Sequence, residues 1–269
     1  LASPFDTPAL PIAVISSLPG TSSESNSTFV VKDARRNKRA ISKLHCFPRV
    51  MAFDPRFAAT LPRRQLHLSM FDAYMHVLEQ CIRPDPVCLV NDGLCITALS
   101  TILDLHRRLV SGEFADEDLL RFSRISSFII DGATLGRGVT VDAVTHEIAV
   151  FLSAHFPMAH GETLARVLPE YLAHPANAGK RARFEQLMAR SVTALNAFHG
   201  KSVIADFDLH RHIAESGILG QPVAGGRAPI GETEIAAFLD ERDAFWQQKG
   251  VAKEDVGEVL RRTIQRLDA

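Results

Sequence analysis

The 269-residue chain has no uninterrupted apolar run of the roughly 18 residues that a membrane helix needs. It also lacks any paired C-x-x-C spacing and any excess of charge of one sign. The first absence removes the expectation of a membrane partner, and the N-terminus has no charged region followed by an apolar block, so no signal peptide is expected. The second removes a thiol redox pair or zinc knuckle; of Cys46, Cys81, Cys88 and Cys95, three lie in helix-like apolar surroundings that suit free buried thiols. A reduced, cytoplasmic setting is the expectation. The third follows from 31 Asp plus Glu against 30 Lys plus Arg, which leaves no broad field to attract nucleic acid. What remains is an ordinary globular composition, 46% hydrophobic, long enough for one large domain or two small ones.

The texture changes near residue 55. Before it the chain is rich in Pro, Ser and β-branched residues, and PIAVIS, STFVV, RAIS and RVMAF read as short strands. Between the first two lies LPGTSSESN, which is either a polar surface loop or a turn offering backbone N–H groups and hydroxyls to a phosphate or nicotinamide. From Asp54-Pro55 onward apolar residues recur every three or four positions. Helices are expected over 63–82, 87–111, 115–133, 139–155, 160–173, 177–199, 207–215, 231–249 and 252–267, with Asp116 and Thr140 as N-caps and Gly112 and Gly200 as stops. The one long irregular connection is 216–232, and no internal repeat is visible.

One carboxylate and three imidazoles carry the strongest chemical signal. Asp72 and His76 are four apart, one turn on the same helix face. His146 and His160 suit a ligand on one helix and another at the start of the next, with Phe156 and Pro157 marking the break. Such a set suits Zn(II), Fe(II) or a related ion with a coordination position left for substrate. Most of the 11 histidines are expected to be surface or satisfied core residues. His155 is the rival ligand, His67 lies off the ligand face, and His210 and His212 read as mostly exposed. Glu79, three after His76, is either a solvated carboxylate or an acceptor that orients a ligand imidazole. DARRNKR at 33–39 reads as a solvated hairpin, Lys38 excepted, and Phe245 and Trp246 as a helix face packed on a partner or a neighbouring helix.

The surrounding text resembles the iron-containing (group III) alcohol dehydrogenase family of the dehydroquinate-synthase-like superfamily, in five blocks in the right order. PIAVISSLPGTSSES is similar to I-P-T-T-x-G-T-G-S-E, retaining Gly20, Thr21, Ser23 and Glu24. NKRAIS places Lys38 at a family lysine, and RVMAFDPRFAATLP resembles the segment opening the helical domain. SMFDAYMHVLEQ resembles G-M-D-A-x-x-H-A-x-E through Asp72, His76 and Glu79. HGETLARVLP resembles H-G-x-x-x-A-x-x-L-P through His160, Gly161, Ala165, Leu168 and Pro169, with His146 at the upstream ligand position.

That resemblance implies Asp72, His76, His146 and His160 as ligands of Fe(II) or Zn(II), with no catalytic residue assigned beyond them. It implies that Ser17, Leu18, Gly20, Thr21 and Ser23, with Lys38, flank NAD or NADP. The fold implied is mainly α: an all-helical metal-binding domain, 56–269, of the dehydroquinate-synthase-like fold, after a short β-rich remnant of the nucleotide-binding domain, 1–55. Small alcohols or aldehydes are the implied substrates, interconverted by hydride transfer, and a homo-oligomer is expected. A polyol dehydrogenase, a dehydroquinate-synthase-like enzyme and a non-catalytic metal-binding remnant are the alternatives. The departures are Ser22 for a glycine, Ser17 and Leu18 for two threonines, and Val150 where several members carry a histidine. The family's G-G-G-S-x-x-D turn has no counterpart, since AGGRAP at 224–229 lies between helices and follows no strand. The chain therefore resembles about the second two-thirds of a member.

Overall fold

A computed structural model of the protein describes residues 10–32, 38–83, 89–129, 141–220 and 230–267. Four short strands come first: β1 (Ala13–Ser16), β2 (Thr28–Lys32), β3 (Lys38–Ser42) and β4 (Val50–Phe53). β1 and β4 pair in parallel with Ala13 opposite Val50, while β2 and β3 pair antiparallel with Lys32 opposite Lys38. A one-turn helix α1 (Pro55–Ala58) starts the helical part. Its N-cap Asp54 accepts from Arg56 N at 2.9 Å and Pro55 fills the first helical position.

The remaining helices are α2 (Arg63–Cys81), α3 (Leu89–Ser111), α4 (Asp116–Ile129), α5 (Val144–His155), α6 (His160–Ala173), α7 (Ala178–His199), α8 (Leu209–Ser216), α9 (Glu232–Glu241), α10 (Asp243–Lys249) and α11 (Lys253–Leu267). α2 is the axis of the molecule: from Leu66 to Cys81 every residue except His76 is buried. A helix covered all round needs neighbours on every side, and α2 packs with α3, α4 and α6 in the larger core. A second core joins α5 and α6 to α9, α10 and α11 around Trp246. Among the described residues no helix is long and apolar enough to cross a membrane.

Several expected boundaries move, each for a local reason. Asp116 is the first residue of α4 and not its N-cap; the carboxylate of Asp118 accepts from Ala115 N at 3.0 Å instead. The helix expected from 139 begins at Val144, because Ala143 is held left-handed at φ 57°. Its neighbour Asp142 is tied down by Tyr171 Oη at 2.7 Å, Lys180 Nζ at 2.7 Å and a bond from its own N–H to Glu79 O at 2.8 Å. The expected helix 231–249 breaks at Arg242, whose φ of −114° separates α9 from α10 and frees its guanidinium to bond Glu147 at 2.7 Å. Trp246 packs inside this chain, donating to Leu239 O at 3.0 Å. Gly112 and Gly200 both take positive φ after a helix, as expected of stops. Thr140, Cys88, most of the 33–39 charge run and AGGRAP lie outside the described residues.

Two glycines set how closely segments approach α2. A Cβ on Gly161 would stand 2.4 Å from Leu68 O, and one on Gly20 would stand 2.7 Å from Ser69 O. Gly161→Ala therefore must push α6 off α2, at a cost of about 1–3 kcal/mol. We expect a melting temperature lower by several degrees together with weaker metal uptake, since His160 is the adjacent residue; an unchanged melt would show that α6 yields freely.

Candidate metal centre

α2 presents Asp72 and His76 one turn apart, α5 brings His146 across, and α6 opens with His160. α5 ends at His155, and extended Phe156 with Pro157 turns the chain before α6 begins. The four groups meet. Asp72 Oδ1 has His146 Nε2 at 3.5 Å, His160 Nε2 at 3.5 Å and His76 Nε2 at 3.9 Å. Ligands about 2.1 Å from a tetrahedral ion lie about 3.4 Å from one another, which is this spacing. Asp72, His146 and His160 hold their donor atoms within 4.8 Å of one another, and His76 closes the side facing His146, ring centroids 4.6 Å apart.

The donor atoms look unfinished in the way a metal site does. Asp72 Oδ1 and His146 Nε2 are buried and have no hydrogen-bond partner, an arrangement that costs free energy unless something fills it. Burial would raise the Asp72 carboxyl, but the three surrounding imidazoles hold it well below the usual carboxylate range. Burial lowers His160 to about 4 and also lowers His76. His146 runs the other way: burial opposes its charge, yet Glu79 and Asp72 together push it up to about 10. The residues present fit a divalent cation: one buried anion, two neutral imidazoles, and a third that gives up its Nε2 proton to a stronger positive charge.

Glu79 is the buried alternative of the two readings its sequence position allowed. It is 4% exposed and its carboxylate accepts from His146 Nδ1 at 2.6 Å, His146 N at 3.2 Å and the Thr145 hydroxyl. Its backbone carbonyl takes the Asp142 N–H. One residue on α2 thus sets both the start of α5 and the ring orientation of His146, leaving Nε2 aimed at Asp72.

The loop after β1 lies against this centre. Gly20 N donates to Ser126 Oγ at 2.7 Å, and the Gly20 backbone is near enough to His76 to favour its charged form. Ser22 is fully buried at φ 53°, a conformation that favours glycine, and its hydroxyl bonds Ser126 O. Ser17, Thr21 and Ser23 point outward, with Thr21 Oγ1 and Ser23 Oγ 2.9 Å apart, and Leu18 is half-buried. Lys38 donates to Ser153 Oγ at 2.9 Å, and burial followed by the charge of Lys32 lowers its pKa. Val150, one turn after His146, is buried and apolar.

The other histidines separate cleanly. His155 bonds Phe151 O through Nδ1 at 2.9 Å, and the donors that converge are those of Asp72, His146 and His160. His210 is exposed, but His212 is buried, contrary to the exposed position expected of both, because it packs against Phe71, Tyr74 and Phe207. His67 is also buried and stands beside His106, a residue that sequence reasoning did not single out; its position among Leu103, Leu105 and Leu109 on α3 was the available signal.

Comparison with known proteins gives one consistent result. The family model described as "Fe-containing alcohol dehydrogenase family, C-terminal" matches residues 67–206. A probable NADH-dependent butanol dehydrogenase 1 of Bacillus subtilis is 25% identical over 260 residues, covering 95% of this chain and 67% of that protein. The NADPH-dependent aldehyde reductase YqhD of Escherichia coli is 28% identical over 183 residues, covering 68% of this chain and 47% of the reductase. Among solved structures, the NADH-dependent butanol dehydrogenase A of Thermotoga maritima superposes with a TM-score of 0.72 at 22% identity, over 94% of this chain and 66% of that one. The matches span between 41% and 67% of the length of the curated relatives.

Proposed function

Since the chain belongs to the Fe-containing alcohol dehydrogenase family, we propose that it is the metal-binding part of an NAD(P)-linked oxidoreductase interconverting a small alcohol and its aldehyde or ketone. In this reading residues 56–269 form the helical metal-binding domain and 1–55 the β-rich end of a nucleotide-binding one. The observation that carries it is the convergence of three Nε2 atoms on the unpartnered Asp72 Oδ1. The family's name favours iron over zinc.

When bound, the metal supplies a Lewis acid that polarises the substrate oxygen, and the nicotinamide carries the hydride. The chain's own residues do the rest. Asp72 neutralises part of the ion's charge while His76, His146 and His160 hold it through neutral nitrogens. Glu79 keeps the His146 proton on Nδ1, so that Nε2 stays free for the ion. Outward hydroxyls of Ser17, Thr21 and Ser23, with Leu18, Gly20 and the Lys38 ammonium, form the flank offered to the nucleotide. Val150, buried one turn after His146, offers no proton acceptor there.

The test is thermal unfolding of the full natural protein with Fe(II) or Zn(II), with and without NADH or NADPH, beside oxidation of a short alcohol. We expect metal to raise the melting temperature, one nucleotide to raise it further, and alcohol oxidation that requires both. A chain stabilised by metal and indifferent to both nucleotides would contradict the oxidoreductase reading while sparing the metal centre.

A further inference from the structure

In the loop that follows β1, Gly20, Ser22 and Glu24 are buried, and Thr21 and Ser23 between them are exposed. Such an alternation needs a surface that holds the inward set, and two consecutive serines near the end of α4 provide it. Ser126, itself fully buried, accepts from Gly20 N through its Oγ at 2.7 Å, and its carbonyl accepts from the Ser22 hydroxyl. Ser127 donates through Oγ to Glu24 Oε1 at 2.7 Å, and its carbonyl accepts from Ser25 Oγ at 2.8 Å. Both carbonyls belong to the last four residues of α4, where C=O groups have no partner within their own helix. The loop thus supplies the donors that the helix end needs. On its other side Gly20 lies against α2, where a Cβ would stand 2.9 Å from Ser69 Cβ.

We propose that Ser126 and Ser127 are positioning residues for the nicotinamide nucleotide, acting through the 20–25 loop; this rests on the reading of the chain as part of an NAD(P)-linked oxidoreductase. Their four bonds fix the inward side of the loop, and so keep the Thr21 and Ser23 hydroxyls, 2.9 Å apart, on the outward side. The loop would not hold that shape by itself. Ser22 sits at φ 53°, a left-handed conformation that costs a residue with a side chain free energy, and its bond to Ser126 O offsets the cost. With the anchor cut, the loop spends only part of its time in the conformation that receives the nucleotide, and the apparent affinity falls by that fraction. The metal ligands are carried by α2, α5 and α6 and not by the loop or by α4, so metal affinity is spared.

The experiment compares Ser126→Ala with the wild type in the full natural protein loaded with Fe(II) or Zn(II), using NADH and NADPH. The substitution leaves the Gly20 N–H without its acceptor. The nucleotide KM is expected to rise about tenfold, the scale of one lost buried hydrogen bond. Meanwhile kcat, and metal affinity by chelator competition, stay at wild-type values, and amide exchange of residues 20–25 without nucleotide quickens. An unchanged KM overturns the proposal, and so does a fall in kcat and metal affinity alongside KM, which would mark Ser126 as general packing. A wild type that binds neither nucleotide sinks the oxidoreductase reading and this inference together, whereas nucleotide bound equally by wild type and variant sinks the inference alone. Should Ser126→Ala fail to fold, Ser25→Ala, which removes the hydroxyl that Ser127 O accepts, must raise KM in the same way; a wild-type KM there ends the proposal.

Discussion

Glu79→Gln lowers the affinity of the Asp72 centre for Zn(II) or Fe(II) by about 10- to 100-fold, the usual penalty for removing a partner of a ligand imidazole. The reason lies in the directions of the hydrogen bonds. Glu79 receives three donors and gives none: His146 Nδ1, His146 N and the Thr145 hydroxyl. Glutamine keeps the volume but turns an NH₂ group toward those donors, leaving buried polar groups opposed at about 1–3 kcal/mol each. His146 then loses the charge that fixes its Nδ1 proton, and without metal its pKa falls from about 10 because Glu79 is the leading cause that raises it. Chelator competition gives the affinity and NMR titration of the metal-free variant gives the pKa. If both stay at wild-type values, Glu79 does not position His146.

The second large effect is on stability in acid. His67, His106 and His212 titrate in the folded chain at about 4, 2 and 4, below the ordinary histidine value of 6.5. The unfolded chain therefore binds more protons, so the stability these groups provide is complete above pH 6.5 and is lost as pH falls toward 4. At pH 5 each depressed group removes about 2 kcal/mol, and three together remove a large share of the 5–15 kcal/mol of a typical domain. In the metal-free protein His76 and His160 act in the same direction and the raised His146 in the opposite one, so the trio's part must be read by substitution. Urea unfolding of the metal-free protein at pH 7 and pH 5 gives the slope, and His106→Gln should flatten it whatever its effect at pH 7. Equal stability at the two pH values would mean that the trio is hydrated or already charged.

The meeting of Asp72, His76, His146 and His160 was legible because their spacing and flanking text point the same way, and the fold brings three Nε2 atoms to one Asp72 oxygen. The strands at 13–16, 28–32, 38–42 and 50–53 likewise follow from short β-branched runs. What escaped was set by contacts distant in sequence. His212 reads as exposed if α8 is a surface helix with alternating sides, but Phe71, Tyr74 and Phe207 wall it in. The late start of α5 depends on Asp142 meeting Tyr171 and Lys180, and the break at Arg242 on Glu147. Nothing local to Ala143 or Arg242 announces either event. Ser22 is the instructive departure: a glycine suits its φ of 53°, and the serine present is held there by its bond to Ser126.

The most direct measurement is anomalous diffraction from crystals of the protein loaded with Fe(II) or Zn(II). A single peak is predicted on the α2, α5 and α6 side, with one Asp72 oxygen and Nε2 of His76, His146 and His160 each at about 2.0–2.2 Å. An ion held by other residues, or by fewer than three of these four, would contradict it.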